Sequence, residues 1–425
     1  MGWDHLTAED RRSILRGIEA GEAPGGPLHA EIHPTDRCQA ACTFCSTDDW
    51  REDAGLQHMD IEVFHRVVAE LAALGTKSVR VAGGGEPLHH PRIAEMLGHL
   101  HESGIAVENL TTNGIQLTAE ISALLVHIRA DRITVSINSG SARTYAAMMR
   151  TAESAYARVL ENTRTLTATK RAARSSRPLV IVQYLVHRGN FEEIPAMYRL
   201  ARELRVDKIV FDGLAYLDPA ERMDEAETEA MMGLYRQVVQ EDGFYRIARI
   251  TSHEQPVERN MWRIVQGLGR WPVWRRKLER LGELLLCRDR LAIDKLRMIA
   301  RSLRKEAAPR PDAFERPCFV GYYSPTIRAT GRIAMCCTVQ DRFMGHVDEG
   351  IGATWNSAGY RSLRRQLRRI MSEGQRWTYR PDQEGHVVPM CAGSGFAGCR
   401  TRDFFYQEDI PFVRKLNGLL KSMRA

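Results

Sequence analysis

Apolar residues recur along the chain with two periods, and the way they alternate predicts the fold. Asp60 to Leu74 carries Ile61, Phe64, Val67, Val68 and Leu71 at helical spacing. Thr7-Ala-Glu-Asp10 has an N-cap residue with an acid three positions on, so a helix is expected from there to about Glu22, broken by Gly21 to Pro27. Leu28 to Thr35 predicts the first strand. Further strands are expected at 77–82, 105–111, 132–138, 179–186 and 206–212, with helices at 91–103, 117–129, 141–170 and 190–204 between them. Strict alternation of this kind implies parallel pairing with right-handed crossovers, six β/α units in all. From about Leu214 to Pro317 the alternation stops. Asp218 to Gln240 reads as a helix, and Pro256 to Lys305 as mostly amphipathic helix rich in Arg and Trp.

Composition narrows the class. The chain has 425 residues, of which 44% are hydrophobic, enough for a packed core and for more than one domain. The first residues, MGWDHLTAEDRRSI, hold Asp4, Glu9 and Asp10 where a secretion signal is positive, and no run of 18 apolar residues occurs. Nine cysteines at short spacings fit metal binding in a reducing compartment better than a disulfide framework, so a cytoplasmic protein is expected. The net charge of +7 is uneven. Arg259 to Arg310 holds 15 Lys and Arg against 5 acids, and the remainder of the chain is slightly acidic. That distribution speaks against a general nucleic-acid surface. It leaves the basic helices, with Trp262, Trp271 and Trp274, as a packed, solvated face or a grip for an acidic partner.

Chemistry enters at Glu31 to Trp50, where Cys38, Cys42 and Cys45 form a C-x3-C-x2-C run. Three thiolates in one loop cannot all pair as disulfides. They can hold an iron–sulfur cube with one iron left open, or a zinc ion short of a ligand. About forty residues on, KSVRVAGGGEPL reads as a strand running into Gly83-Gly84-Gly85-Glu86. Glycines there let backbone approach a ligand closely, and the carboxylate can take an amino group.

The cysteine spacing, Phe44 before the last cysteine, and the GGE run resemble the radical S-adenosylmethionine (SAM) enzymes. The resemblance implies a partial (β/α)6 TIM-like barrel at 28–214, after an N-terminal helix at 1–27. In such a fold ligand groups come from the carboxyl ends of the strands. It implies a [4Fe–4S] cluster on Cys38, Cys42 and Cys45, with SAM on the open iron. Gly84, Gly85 and Glu86 would bind its methionine end, and Ser136, Asn138 and Phe44 its nucleoside. Asn113 and Gln183, at other strand ends, and Arg150, read as lying on the helix after the fourth strand, are further cofactor-binding candidates. Ser136 and Asn138 are expected on one face by the two-residue period.

After a helical, basic connecting segment at 215–316, residues 317–425 carry Cys318, Cys336, Cys337, Cys391 and Cys399. The C-x12-G-x4-C spacing, Trp355-Asn356 and the arginine-rich stretch behind it resemble the SPASM and twitch extensions of radical SAM enzymes. That likeness implies one auxiliary [4Fe–4S] cluster on Cys318, Cys336, Cys391 and Cys399, with a hairpin bringing the first two together. A zinc ribbon is the alternative for this spacing. Adjacent Cys336 and Cys337 point opposite ways in extended chain, so Cys337 is left as a possible hydrogen donor. Cys287, among leucines, reads as core and as a second possible donor.

The expected activity is cleavage of SAM to a 5′-deoxyadenosyl radical and removal of hydrogen from an unactivated carbon, giving oxidation or epimerisation. An external donor such as flavodoxin or ferredoxin would supply the electron. About 27 residues precede the first strand, read as too few for a peptide-leader domain, which favours a small sugar, aminocyclitol or nucleoside as substrate. A maturase acting on a ribosomally made peptide is the alternative, and a metal-stabilised binding module the one from another class.

Overall fold

The computed structural model describes residues 5–45, 55, 57–213, 223–242, 247–250, 319–336, 343–373, 419 and 422. They fall into two compact units, and the boundary between them runs through one strand.

The first unit draws on both ends of the chain. Helix α1 (Ala8–Ala20) starts on the expected capping box, Thr7 with Asp10, and stops at Gly21 in the left-handed conformation. Strand β1 (His29–Ile32) follows, buried along its whole length. Helix α2 (Ile61–Ala73) is N-capped by the Asp60 carboxylate and buries the five apolar residues read from the sequence. Strand β2 (Ser78–Val81), helix α3 (Ile93–Glu102) and the first part of β3 (Ala106–Thr112) complete the alternating portion. β1 and β2 pair in parallel with His29 opposite Ser78, and β2 pairs in parallel with β3.

The C-terminal cysteine region joins this same sheet. Strand β8 (Thr326–Ile327) lies parallel to β1, with Glu31 opposite Thr326. It turns back antiparallel into β9 (Arg332–Ala334), which pairs with β10 (Phe343–His346). This is the expected hairpin ahead of Cys336. Helices α9 (Ile351–Trp355) and α10 (Ala358–Glu373) follow. Trp355 is buried and donates its indole hydrogen to Gly25 O at 3.0 Å. The buried Arg364 guanidinium lies over the Trp355 ring at 4.4 Å, and its Nε donates to Gly321 O at 2.9 Å.

The second unit holds helix α4 (Ala119–His127), strands β4 (Arg132–Ser136), β5 (Leu179–Val186) and β6 (Lys208–Gly213), and helices α5 to α7. The three strands are parallel, with Ser136 opposite Gln183 and Leu185 opposite Asp212. One long helix was expected at 141–170; the structure has two, α5 (Ala142–Met149) and α6 (Glu153–Ala172). The break falls at Arg150, which adopts the left-handed conformation without being glycine. After α7 (Ile194–Glu203) and β6, helix α8 (Glu225–Asp242) leads to β7 (Ile247–Ile250), parallel to β6. The segment in which the alternation was expected to stop therefore contributes one more strand, between the two expected helices.

Among the described residues no helix is long and apolar enough to cross a membrane. The basic segment 259–310 lies outside the described residues.

Candidate functional site

The cysteine loop of the second unit is seated on the end of α5. Ala41 N donates to Met149 O at 3.1 Å and Thr43 N to Met148 O at 2.9 Å. Those carbonyls belong to the last helical turn, where no intrahelical donor remains for them. The left-handed residue at Arg150 is what ends the helix there, so the break in the predicted long helix creates the dock. Cys42 Sγ lies 3.5 Å from Met149 Sδ, and Cys45 N closes a turn on Cys42 O at 3.1 Å. Cys38, Cys42 and Cys45 are all partly exposed.

Cys38 has a polar surround. Its sulfur accepts from Ala40 N at 3.4 Å and from Asn113 Nδ2 at 3.8 Å. Asn113 is buried, and its Oδ1 accepts from Ile115 N at 3.0 Å and from Gln39 Nε2 at 3.2 Å. Asn162 holds the next two carbonyls, Gly114 O and Ile115 O. Gly114 has φ of 78°, and a Cβ there would stand 2.9 Å from Val135 Cγ1. Phe44 lies near His187, ring centroids 6.1 Å apart. Burial holds the His187 imidazole below its ordinary value, favouring the neutral ring.

The glycine turn of the first unit is built on backbone. Gly85 N donates to Thr35 O and Glu86 N to Arg37 O, at 3.0 and 2.9 Å. A Cβ on Gly85 would lie 2.1 Å from Arg37 O, so this glycine is required by the chain just ahead of Cys38. Gly84 takes the middle place and is buried. Glu86 is buried, with Oε1 accepting from Leu88 N at 3.1 Å, which caps a 3-10 turn at Pro87–His89.

At the strand ends of the second unit the expectations divide. Ser136 and Gln183 are register neighbours on adjacent strands and so share a face. Asn138 does not join them. It has φ of 57°, outside the strand, so the two-residue period lapses before it. It is buried, its Oδ1 accepts from Leu185 N at 2.9 Å, and its carbonyl accepts from Asn190 Nδ2 at 3.0 Å. These bonds tie β4's exit to β5. Arg150 is likewise displaced from the expected helix face: it is the exposed joint between α5 and α6.

Sequence reading missed Asp212. The rings of Tyr184, Phe211 and Tyr235 pack edge to face, with centroids 5.6 and 5.8 Å apart, on one side of the sheet. Gln183 and Asp212, one position along from Tyr184 and Phe211, therefore face the other side. They meet there, Nε2 to Oδ2, at 3.4 Å. An aspartate closing the strand expected at 206–212 was the available signal, and the structure shows it buried. The docking role of Met148 and Met149 had no signal, because it uses only backbone carbonyls.

In the C-terminal hairpin Cys336 is buried, just past β9. Tyr360, raised above its ordinary value by burial, bonds Ala334 O beside it. Cys287, Cys318, Cys337, Cys391 and Cys399 lie outside the described residues. Among the described residues no three His, Cys, Asp or Glu side chains converge on one metal-ion position.

Residues 32–201 match the radical SAM superfamily, and residues 318–378 match the iron–sulfur cluster-binding SPASM domain, together more than half of the chain. The chain belongs to the radical SAM superfamily. The chain is 30% identical over 199 residues to the PqqA peptide cyclase of Streptomyces rochei, covering 46% of this chain and 51% of that one. It is 29% identical over 181 residues to the GTP 3′,8-cyclase of Marinobacter nauticus, covering 42% and 52%. It thus spans about half the length of the curated relatives it matches. Among solved structures, Streptococcus suis SuiB superposes with a TM-score of 0.54 at 13% identity, over 83% of this chain and 71% of that one. The AdoMet-bound anSMEcpe gives 0.52 at 12% identity, over 94% and 98%. These likenesses show the fold, the α/β partial barrel with a SPASM extension.

The radical SAM and SPASM domains bring [4Fe–4S] clusters and SAM with them. The residues of the cysteine loop fit such a group by their donor chemistry. Three thiols stand on one docked loop, and an amide and a carboxamide already point at one sulfur, as ligated thiolates require.

Proposed function

We propose that this radical SAM enzyme removes hydrogen from a carbon of a small polyhydroxylated molecule, a sugar, aminocyclitol or nucleoside, and completes an oxidation or an epimerisation. The observation that carries the reading is the polar face of the second unit's strands. Gln183 and Asp212 place a carboxamide and a carboxylate on one side of two adjacent strands near their carboxyl ends. That set can both donate to and accept from vicinal hydroxyl groups.

Cys38, Cys42 and Cys45 hold the catalytic cluster in this reading, and Gly84 and Gly85 give the SAM methionine end close access to backbone. When bound, cluster and SAM supply a 5′-deoxyadenosyl radical able to attack an unactivated C–H bond. Ser136 and Phe44 serve the nucleoside. Gln183 and Asp212 fix the substrate, because so reactive a species is steered by position. Cys336, with Cys318, Cys391 and Cys399, holds one auxiliary cluster. A flavodoxin or ferredoxin supplies the reducing electron, and Cys337 or Cys287 is the hydrogen donor if the outcome is epimerisation.

The test is anaerobic turnover in deuterated water with a panel of aminocyclitols, sugars and nucleosides, counting 5′-deoxyadenosine against product. Loss of two hydrogens marks oxidation, and one solvent deuterium at carbon marks epimerisation. No product from any of them, with 5′-deoxyadenosine formed at background rate, sinks the small-molecule reading.

A second reading is favoured by the relatives themselves, one of which acts on the PqqA peptide. SuiB, similarly, has been solved with its precursor peptide SuiA. The chain would then modify a peptide and grip an acidic leader with its basic segment. Reversing Arg275, Arg276 and Lys277 to Glu separates the two: a maturase loses peptide affinity, and a small-molecule enzyme keeps its KM.

A further inference from the structure

We propose that Asn113 is a positioning residue for the iron–sulfur centre, donating a carboxamide hydrogen to the Cys38 sulfur and raising the potential at which the centre accepts an electron. The inference rests on the reading of Cys38 as a cluster ligand. It gives Asn113 a partner in the protein instead of in SAM.

Three observations fix the orientation of this side chain. Ile115 N, which can only donate, stands 3.0 Å from Asn113 Oδ1. Gln39 Nε2 gives the same oxygen a second hydrogen at 3.2 Å. The carboxamide oxygen is thereby committed, and its nitrogen faces Cys38 Sγ at 3.8 Å. Asn113 is 7% exposed, so its N–H groups need acceptors inside the protein. A thiol is a weak acceptor and a ligated thiolate a strong one, so this bond gains most once the sulfur carries charge.

The backbone under Asn113 is pinned as well. Gly114 N donates to Thr112 Oγ1 at 3.0 Å, and Asn162 holds Gly114 O and Ile115 O. Gln39 comes from the cysteine loop itself, so one carboxamide links that loop to the end of β3. Hydrogen bonds to cluster sulfurs are a principal means by which a protein sets cluster potential, since they offset the extra negative charge of the reduced state.

The experiment is a redox titration of the reconstituted full-length protein followed by electron paramagnetic resonance, with iron and sulfide content measured on each sample. Asn113→Ala deletes the donor and also the acceptor for Ile115. Asn113→Asp keeps the acceptor geometry and sets a carboxylate oxygen against the sulfur. Both should keep wild-type iron content and show a lower midpoint, Asn113→Asp the lower. The expected loss is about tenfold in reduced fraction at fixed poise, about 59 mV for one electron. A merely structural asparagine predicts that only Asn113→Asp moves, by its added charge, with Asn113→Ala at the wild-type midpoint. Equal midpoints with full iron overturn the proposal and leave the family assignment standing. Wild-type protein that takes up zinc in that loop, with no cluster signal, overturns the reading beneath it. Should the variants fail to load iron, wild-type protein labelled with nitrogen-15 at asparagine alone decides the matter. A nitrogen coupling to the reduced centre supports the donor role, and its absence refutes it.

Discussion

Arg328 and Asp36 form an ion pair at 3.7 Å, with the two side chains 3% and 2% exposed. Arg328 follows β8 in the C-terminal hairpin, and Asp36 stands two residues ahead of Cys38 in the chain. Burial lowers the guanidinium's affinity for its proton, and the carboxylate restores part of it.

Removing one partner of a buried pair leaves the other charged and desolvated. Arg328→Met should therefore cost about 3–5 kcal/mol. Asp36→Asn in the same chain should recover part of the loss, because neither side is then left as a lone ion. Thermal melts of the two single variants and the double variant measure the coupling; additive losses would mean the pair is not what holds this corner.

Glu193 is the common acceptor at the start of α5. Its carboxylate takes hydrogens from Ser139 Oγ, Gly140 N, Ser141 Oγ and Thr144 Oγ1 at 2.6 to 3.1 Å. Glu193→Gln replaces an acceptor oxygen by a donor and sets it against those groups. The expected loss is about 2–3 kcal/mol, as for unpaired buried donors. Because the other end of α5 docks the cysteine loop, iron loading per mole of folded protein should fall too, and an iron assay on the folded fraction checks it.

His29 predicts an acid limb in stability. Burial holds its imidazole down to about 3, outweighing the opposing influence of Glu108 and Glu31, while Arg80 adds to the depression. The unfolded ring titrates near 6.5, so between 6.5 and 3 the unfolded chain binds the extra proton and stability falls as pH is lowered. The loss from this group should be about 3 kcal/mol by pH 4. His29→Asn can keep the bond to Ser78 Oγ that His29 Nδ1 makes at 3.0 Å. Its melting temperature should fall less steeply between pH 6.5 and 4 than the wild-type value does.

Gly85→Ala should be the most damaging substitution in the GGE turn. The added carbon meets the Arg37 carbonyl, and backbone on both sides leaves nothing flexible to give way. The expectation is a loss of more than about 3 kcal/mol and of SAM binding measured by equilibrium dialysis. A variant that binds SAM normally would show that the turn relaxes.

The helical and strand periods made most of the alternating core legible. α2 buries the five residues the spacing selects, and the β4, β5 and β6 regions appear within two residues of their expected limits. What escaped has particular causes. Nothing in Met148-Met149-Arg150-Thr151 marks a helix end, because the left-handed residue there is an arginine and not the glycine that usually signals one. β7 is four residues in a stretch without period-two contrast, and tertiary pairing alone makes it a strand. At the site, cysteine spacing named the candidate ligands, yet the groups that seat their loop, the Met148 and Met149 carbonyls and the Asn113 carboxamide, come from elsewhere in the chain. Asn138 lies off the face expected for it because the strand period was extended past the point where φ changes sign.

The placing of β8 against β1 has a consequence for biosynthesis. Residues 31 and 32 are paired with residues 326 and 327, so one edge of the first strand waits for a partner made almost three hundred residues later. At ribosomal speeds of about 5–20 residues per second, that edge stays unprotected for roughly 15 to 60 seconds. A strand edge left without its partner over such an interval invites pairing with other nascent chains. Yield in a heterologous host should accordingly respond to chaperone supply and to slower growth temperature more than to codon choice near the start of the gene.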